Sequence, residues 1–354
     1  MYKEALAVNL GAMKKCIMNI DALIEWTSGP YAYLIPHVGN VILYISTVNE
    51  LRQMSTPSFP GLLASSGPQV WSLRYQQLRD RQSEPNRIHP TGSTSSVHVS
   101  SSNYVPCGFV DKLGVAMSTL SNLKTLNLIM NTSDSSSDYS VEFQLVTEMV
   151  SSGVTNLRRL DLDQTPDPIP LDFLKNLRNL RHFRFCGYSK STPEETIEIF
   201  QCLNRLESLE IYATGPNNKG VPCNTHEIIR QIPHLKTFLV SQRGPKPFIS
   251  VQMLEALHAH KESLRSLSLY WVDAEQQCGP EIALDPTAFE ELVGLVSALP
   301  RLEDLNLAFR VLETYGNFDI KPLLPASIVT SRVDFRDYDQ YIPTGYASKF
   351  YYGS

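Results

Sequence analysis

The heptapeptide Asn122-Leu123-Lys124-Thr125-Leu126-Asn127-Leu128 returns, altered, six more times down the chain. The copies read NLRRLDL (156–162), NLRNLRHFRF (176–185), RLESLEI (205–211), HLKTFLV (234–240), SLRSLSL (263–269) and RLEDLNL (301–307). Their shared template is apolar-x-x-apolar-x-apolar. The last two apolar positions are two residues apart, so they lie on one face of a strand. A unit this short cannot bury that face alone. Stacked copies can, and the repeat therefore points to a solenoid.

The first template apolars stand at 123, 157, 180, 206, 235, 264 and 302, with spacings from 23 residues (157 to 180) to 38 (264 to 302). Helical patterns fill the gaps. Phe143, Val146, Met149 and Val150 share one face. Ile197, Phe200 and Leu203 share another, as do Met253, Leu254 and Leu257, then Phe289, Leu292, Val293 and Val296. Three helix starts are signed: Thr192-Pro193-Glu194-Glu195, Asn224 with Glu227, and Asp285-Pro286. Each coil is expected to be a strand, a turn, a helix and a return.

The rest of the chain follows the template less closely. Residues 1–82 are expected to hold degenerate N-terminal repeats or a cap, with a helix and then a short strand ending near Trp26. A helix is expected in part of 31–54, and a strand over Gln69–Tyr75, where Val70, Leu73 and Tyr75 fit the template. Residues 83–104 are Ser-rich with almost no large apolar side chains, so they are expected to be a disordered loop. SDSSSD at 133–138 reads as an exposed loop. The solenoid is expected over 105–335, closed by a last strand around Val333-Asp334-Phe335, with a C-terminal tail at 336–354.

Composition narrows the classes. A net charge of −5 exerts no global pull toward nucleic acid or anionic membrane. The six cysteines of the 354 residues form no C-x-x-C and follow no ligand or disulfide rhythm, which reads as reduced, buried thiols in a cytoplasmic or nuclear protein. The first fifteen residues lack the pattern of a secretory signal, and the apolar stretch 31–48 is interrupted by Pro36, His37, Gly39 and Asn40.

Leu123-x-x-Leu126-x-Leu128-x-x-Asn131 resembles the leucine-rich repeat family, whose core is L-x-x-L-x-L-x-x-N. Later copies keep the apolar positions and replace the asparagine by Thr165, Tyr188, Thr214, Arg243, Val272 and Arg310, implying irregular turns. The long, uneven coils are most similar to the divergent repeat region of fungal F-box-like proteins. That resemblance implies an irregular leucine-rich-repeat α/β solenoid, with a parallel concave sheet and outer helices. It also implies a substrate receptor for a ubiquitin ligase. No F-box, with its L-P-x-E-like opening, stands in 1–60, so an adaptor would dock only through an F-box supplied elsewhere. A truncated or degenerate remnant of such a protein is the alternative. An enzyme with a site between the N-terminal segment and the solenoid is the rival from another class.

Residues between the template apolars should point outward. The expected partner surface holds Arg159, Asp161, Asp163, His182, Arg184, Glu210, Tyr212, Tyr270 and Trp271. Tyr, Trp and Arg are the residues enriched at interface centres. The plainer reading is that Arg184 pairs with Asp161 or Glu210 across strands. No catalytic motif, cofactor fingerprint or metal-ligand spacing appears, so no cofactor and no enzyme activity are expected. His258 and His260 face apart on a helix and read as solvated. Cys186 and His182 lack an orienting acid. Arg158-Arg159 and Arg178/Arg181/Arg184 have acids nearby, which argues against nucleic acid as the partner.

Overall fold

A computed structural model of the chain describes residues 16–30, 32–45, 71, 73–75, 77–78, 108–130, 140–163, 171–186, 191–213, 225–243, 249–272, 284–310 and 318–336. Two compact units divide it. The first comprises 1–207 with 231–233, the second 208–230 with 234–354.

The first unit carries β1 (Cys16–Asn19), α1 (Ile20–Ser28), a 3-10 turn (Ala32–His37), β2 (Asn40–Ile45) and α2 (Gly108–Thr119). It continues with β3 (Thr125–Met130), α3 (Ser140–Gly153), β4 (Arg159–Asp163), a 3-10 turn (Asp172–Asn176), β5 (His182–Cys186) and α4 (Pro193–Cys202). Strands β1 to β5 pair in parallel and in chain order. In register, Val41 lies beside Leu126, Leu160 and Phe183, and Leu43 beside Leu128, Leu162 and Phe185. All eight are buried.

The second unit carries β6 (Ser208–Ala213), α5 (Thr225–Gln231), β7 (Thr237–Arg243), α6 (Val251–His258), β8 (Ser266–Val272), α7 (Pro286–Ser297), β9 (Asp304–Arg310), a 3-10 turn (Lys321–Leu323) and β10 (Thr330–Arg336). Gln231, the last residue of α5, falls in the first unit. Strands β6 to β10 are again parallel and in chain order. Leu209, Phe238, Leu267 and Leu305 form one buried row, and Ile211, Val240, Leu269 and Leu307 the next. Parallel strands joined by crossovers that carry helices or turns, with identical apolar rows inside, make an α/β leucine-rich-repeat, solenoid-like fold.

One backbone device builds successive coils. The N–H groups of Lys124 and Thr125 both donate to the Gly39 carbonyl, those of Arg158 and Arg159 to Lys124, and those of Arg181 and His182 to Arg158. In the second unit Arg265 and Ser266 donate to Lys236, Glu303 and Asp304 to Arg265, and Val329 and Thr330 to Glu303. Side chains extend the tie. Asn156 donates to the Ser121 carbonyl, Asn179 to Thr155, Ser263 to Leu235 and Ser327 to Leu302. Backbone groups left over at each turn thus find partners in the coil before.

Two helix starts form as the residues dictate. Thr192 closes a full capping box with Glu195, and Asp285 accepts from the N–H groups of Thr287 and Ala288. Asn224 lies outside the described residues. So do 1–15, 46–54, 83–104, 133–138 and the tail beyond 336.

Two expectations fail. Near the N-terminus the order is reversed: β1 precedes α1, and Trp26 is helical. Between 71 and 78 the described residues are helical, not a strand. Trp71, Tyr75 and Leu78 follow a helical period, so Tyr75 and Leu78 are buried while Leu73, a template position, is exposed. This segment is anchored to the helices. The Trp71 N–H donates to Asp111 on α2, and Arg74 makes two 2.7 Å hydrogen bonds to Glu148 on α3. Helices α2 and α3 approach closely where Gly153 faces the Met117 and Ser118 backbone, 3.0 Å from where a Cβ would sit.

Candidate functional site: the outward rows of the strands

On β4 and β5 the outward positions bring together five of the expected residues. Arg159 and Asp161, two apart on β4, form an ion pair at 3.0 Å. Arg184 on β5 reaches Asp163 on β4 at 3.4 Å. This contact is diagonal, since strand register sets Arg184 beside Asp161, with which Arg159 already pairs. Asp161 is buried, and Asn127 on β3 hydrogen-bonds the Asp163 carboxylate. Burial raises the Asp163 carboxyl above the ordinary carboxylate range, partly opposed by Arg184. Burial also lowers the His182 imidazole, with Arg159 pushing the same way. The result is a half-buried network of matched charges, held by strand register.

The second unit presents a different row. Leu239, Ser241, Tyr212 and Tyr270 are half-exposed on the outward side of β6, β7 and β8, with Tyr212 beside Ser241 and Ser241 beside Tyr270 in register. The Tyr212 hydroxyl donates to Glu210 at 3.4 Å. Burial raises the Tyr270 phenol, while a hydrogen bond with Ser268 and the charge of Arg332 oppose it. Asn306 donates to Ser268 at 3.3 Å.

Trp271 does not join this row. It is 4% exposed, on the same side as Leu267 and Leu269. Side chains alternate along a strand, so the residue after an outward Tyr270 must point inward. The expectation that Trp271 contacts a partner is corrected on that ground. Sequence reasoning also passed over Ser268 and Arg332 as supports of Tyr270. The register of β10 on β9, which sets Arg332 beside Asn306, was not legible from a template that ends at 307.

His182 and Cys186 are four residues apart on one strand, about 13 Å at the rise of an extended chain. Among the described residues no group of three or more His, Cys, Asp or Glu could hold a metal ion. His260, expected to be solvated, is buried, with Nε2 3.0 Å from the Ile229 carbonyl oxygen. Among the described residues no helix is long and apolar enough to cross a membrane.

No protein-family model matches the chain, and no curated protein matches it. Among solved structures, an internalin from Listeria monocytogenes is similar over 63% of this chain, at 16% identity and a TM-score of 0.33. A protein from Bacteroides fragilis is similar over 60% at 15% identity and a TM-score of 0.32. These matches span 50% and 67% of those two chains.

Proposed function

We propose that the chain is a protein–protein recognition scaffold, and that its partner reads the outward rows of its strands. The observation that carries this reading is the aromatic row of the second unit. Tyr212 and Tyr270 keep solvent access on an ordered parallel sheet, and both hydroxyls have side-chain partners that hold the rings in place. Aromatic side chains fixed in this way offer large contact area at low entropic cost. The matched charges of the first unit would serve orientation more than affinity, since half-buried pairs already satisfied within the chain contribute little when a partner arrives.

Within that class, the finer reading is an F-box-like substrate receptor, supported by the uneven coil lengths and the loss of the repeat asparagine. On this reading the substrate is a protein and the ligase adaptor is reached through an F-box supplied elsewhere. The experiment is affinity purification of the chain from its own cells beside the variant R184E/Y212A/Y270A, with circular dichroism as the check on folding. A protein retained by the native chain and lost from the folded variant supports the outward rows as the site. Equal recovery by both overturns it. Co-purifying ubiquitin-ligase subunits would support the receptor reading specifically.

A further inference from the structure

A cavity of about 640 Å³ opens in the first unit at the N-terminal ends of its strands. Its walls include Lys124, Arg158, Arg181 and Arg205, and among the described residues no acidic side chain lines it. The first three occupy equivalent positions in successive coils. Each immediately precedes its strand, and the register Thr125–Arg159–His182 sets them side by side. Backbone hydrogen bonds of 2.8 and 2.7 Å link Lys124 to Arg158 and Arg158 to Arg181. Adjacent strands lie about 4.8 Å apart, so three cations fall within about 10 Å.

Like charges placed side by side across strands repel, and a fold normally interleaves them with acids. The second unit does so: its equivalent column runs Lys236, Arg265, Glu303, with Arg265 and Glu303 paired at 3.1 Å. In the first unit Lys124 and Arg158 have no acidic partner among the described residues. Arg181 meets Glu207 only at 3.5 Å, and both side chains are partly exposed. Arg205 is held in place by a neutral group, the Asn179 side-chain oxygen at 2.9 Å. Asn179 is itself fixed by its bond to the Thr155 carbonyl. The guanidinium is thereby oriented without being neutralised.

We propose that this cavity binds a small soluble ligand carrying two or more adjacent phosphate groups. Its volume is that of a small-molecule site. A polar wall with a line of cations suits a compact polyanion, and arginine forks match phosphate oxygens in pairs. Three or four charges across about 10 Å exceed what one phosphate needs and match a row of them. Arg159 and Arg184, by contrast, lie on the outward face and are consumed by Asp161 and Asp163. Neighbours in sequence thus serve different ends: Arg158 faces the cavity and Arg159 the ion-pair network.

The test is isothermal titration of the full chain with sodium tripolyphosphate, with orthophosphate and chloride at equal ionic strength as references. Tripolyphosphate should bind at one site and at least tenfold more tightly than orthophosphate. K124E/R158E should weaken it at least tenfold, K124Q/R158Q by less, and K261E in the second unit not at all. All three side chains replaced are exposed, and circular dichroism checks the fold of each variant. No heat beyond that of chloride, or equal binding by K124E/R158E, would overturn the proposal. Retention on phosphatidylcholine–phosphatidic acid vesicles that tripolyphosphate fails to displace would overturn it too, since the ligand would then be a membrane surface.

Discussion

The His260 imidazole Nε2 lies 3.0 Å from the Ile229 carbonyl oxygen, in a place that other coils give to an aliphatic side chain. The carbonyls of Leu120, Val154, Leu177, Leu203 and Leu299 each accept from the template leucine three residues later, and all five side chains are buried. In the β8 coil the His260 carbonyl accepts from both Ser263 and Leu264. One extra residue in that turn lets an imidazole fill the position. A carbonyl only accepts, so Nε2 must carry the hydrogen, as the neutral Nε2–H tautomer does.

Burial lowers the His260 pKa, with the nearby charge of His234 acting the same way against the Ile229 bond, which raises it. The folded state therefore holds this proton less tightly than the unfolded chain. Its stability contribution is complete above the unfolded value of about 6.5 and is lost as pH falls from there toward the folded value. Urea midpoints should drop between pH 7 and pH 5. H260L should flatten that slope, leaving the part that comes from His182, which shifts in the same direction. A midpoint that falls equally in H260L would show that the acid sensitivity arises elsewhere.

Trp271 and Tyr270 should separate stability from recognition. Trp271 is inward and buried, so W271A should cost about 3–5 kcal/mol in urea unfolding. Y270A removes a half-exposed ring and should cost about 1 kcal/mol while abolishing partner recovery. Reversal of the two costs would mean that the register of β8 is one residue out, since a one-residue slip exchanges the faces.

Gly114 should be intolerant of any side chain for a reason 43 residues away. A Cβ built there would collide with the Trp71 indole, at Cδ1, Nε1 and Cγ. G114A should destabilise by about 1–3 kcal/mol, the usual cost of overpacking. Much of that loss should return in G114A/W71L, where the smaller side chain makes room. Additive effects in this cycle would contradict the docking of the 71–78 helical residues on α2.

The template copies announced most of the strands because their information is local. Leucines at fixed offsets state both the period and the buried face, and Thr192-Pro193 and Asp285-Pro286 carry their own capping chemistry. Where local signals agree with packing, reading them suffices. The segment around Trp71 shows the opposite case. Leu73 and Tyr75 fit a strand and Trp71, Tyr75 and Leu78 fit a helix. The choice was made by Asp111 and Glu148, far along the chain and invisible to a short window.

The candidate sites divide in the same way. Which residues of a strand share a side follows from alternation alone, and for that reason Arg159, Asp161 and Asp163 could be placed together before any coordinates. Trp271 was misassigned although the same rule applied to it. Pair choice was beyond reach, because the Arg159–Asp161 pair along one strand and the Arg184–Asp163 diagonal are set by side-chain reach, which alternation does not state. The cationic column was present in the text as Asn122-Leu123-Lys124, Asn156-Leu157-Arg158 and Asn179-Leu180-Arg181. Sequence could show that these triplets repeat. Stacking had to bring coils of unequal length into register before three separate cations became one wall, because charge acts through distance in space and the template records only distance along the chain.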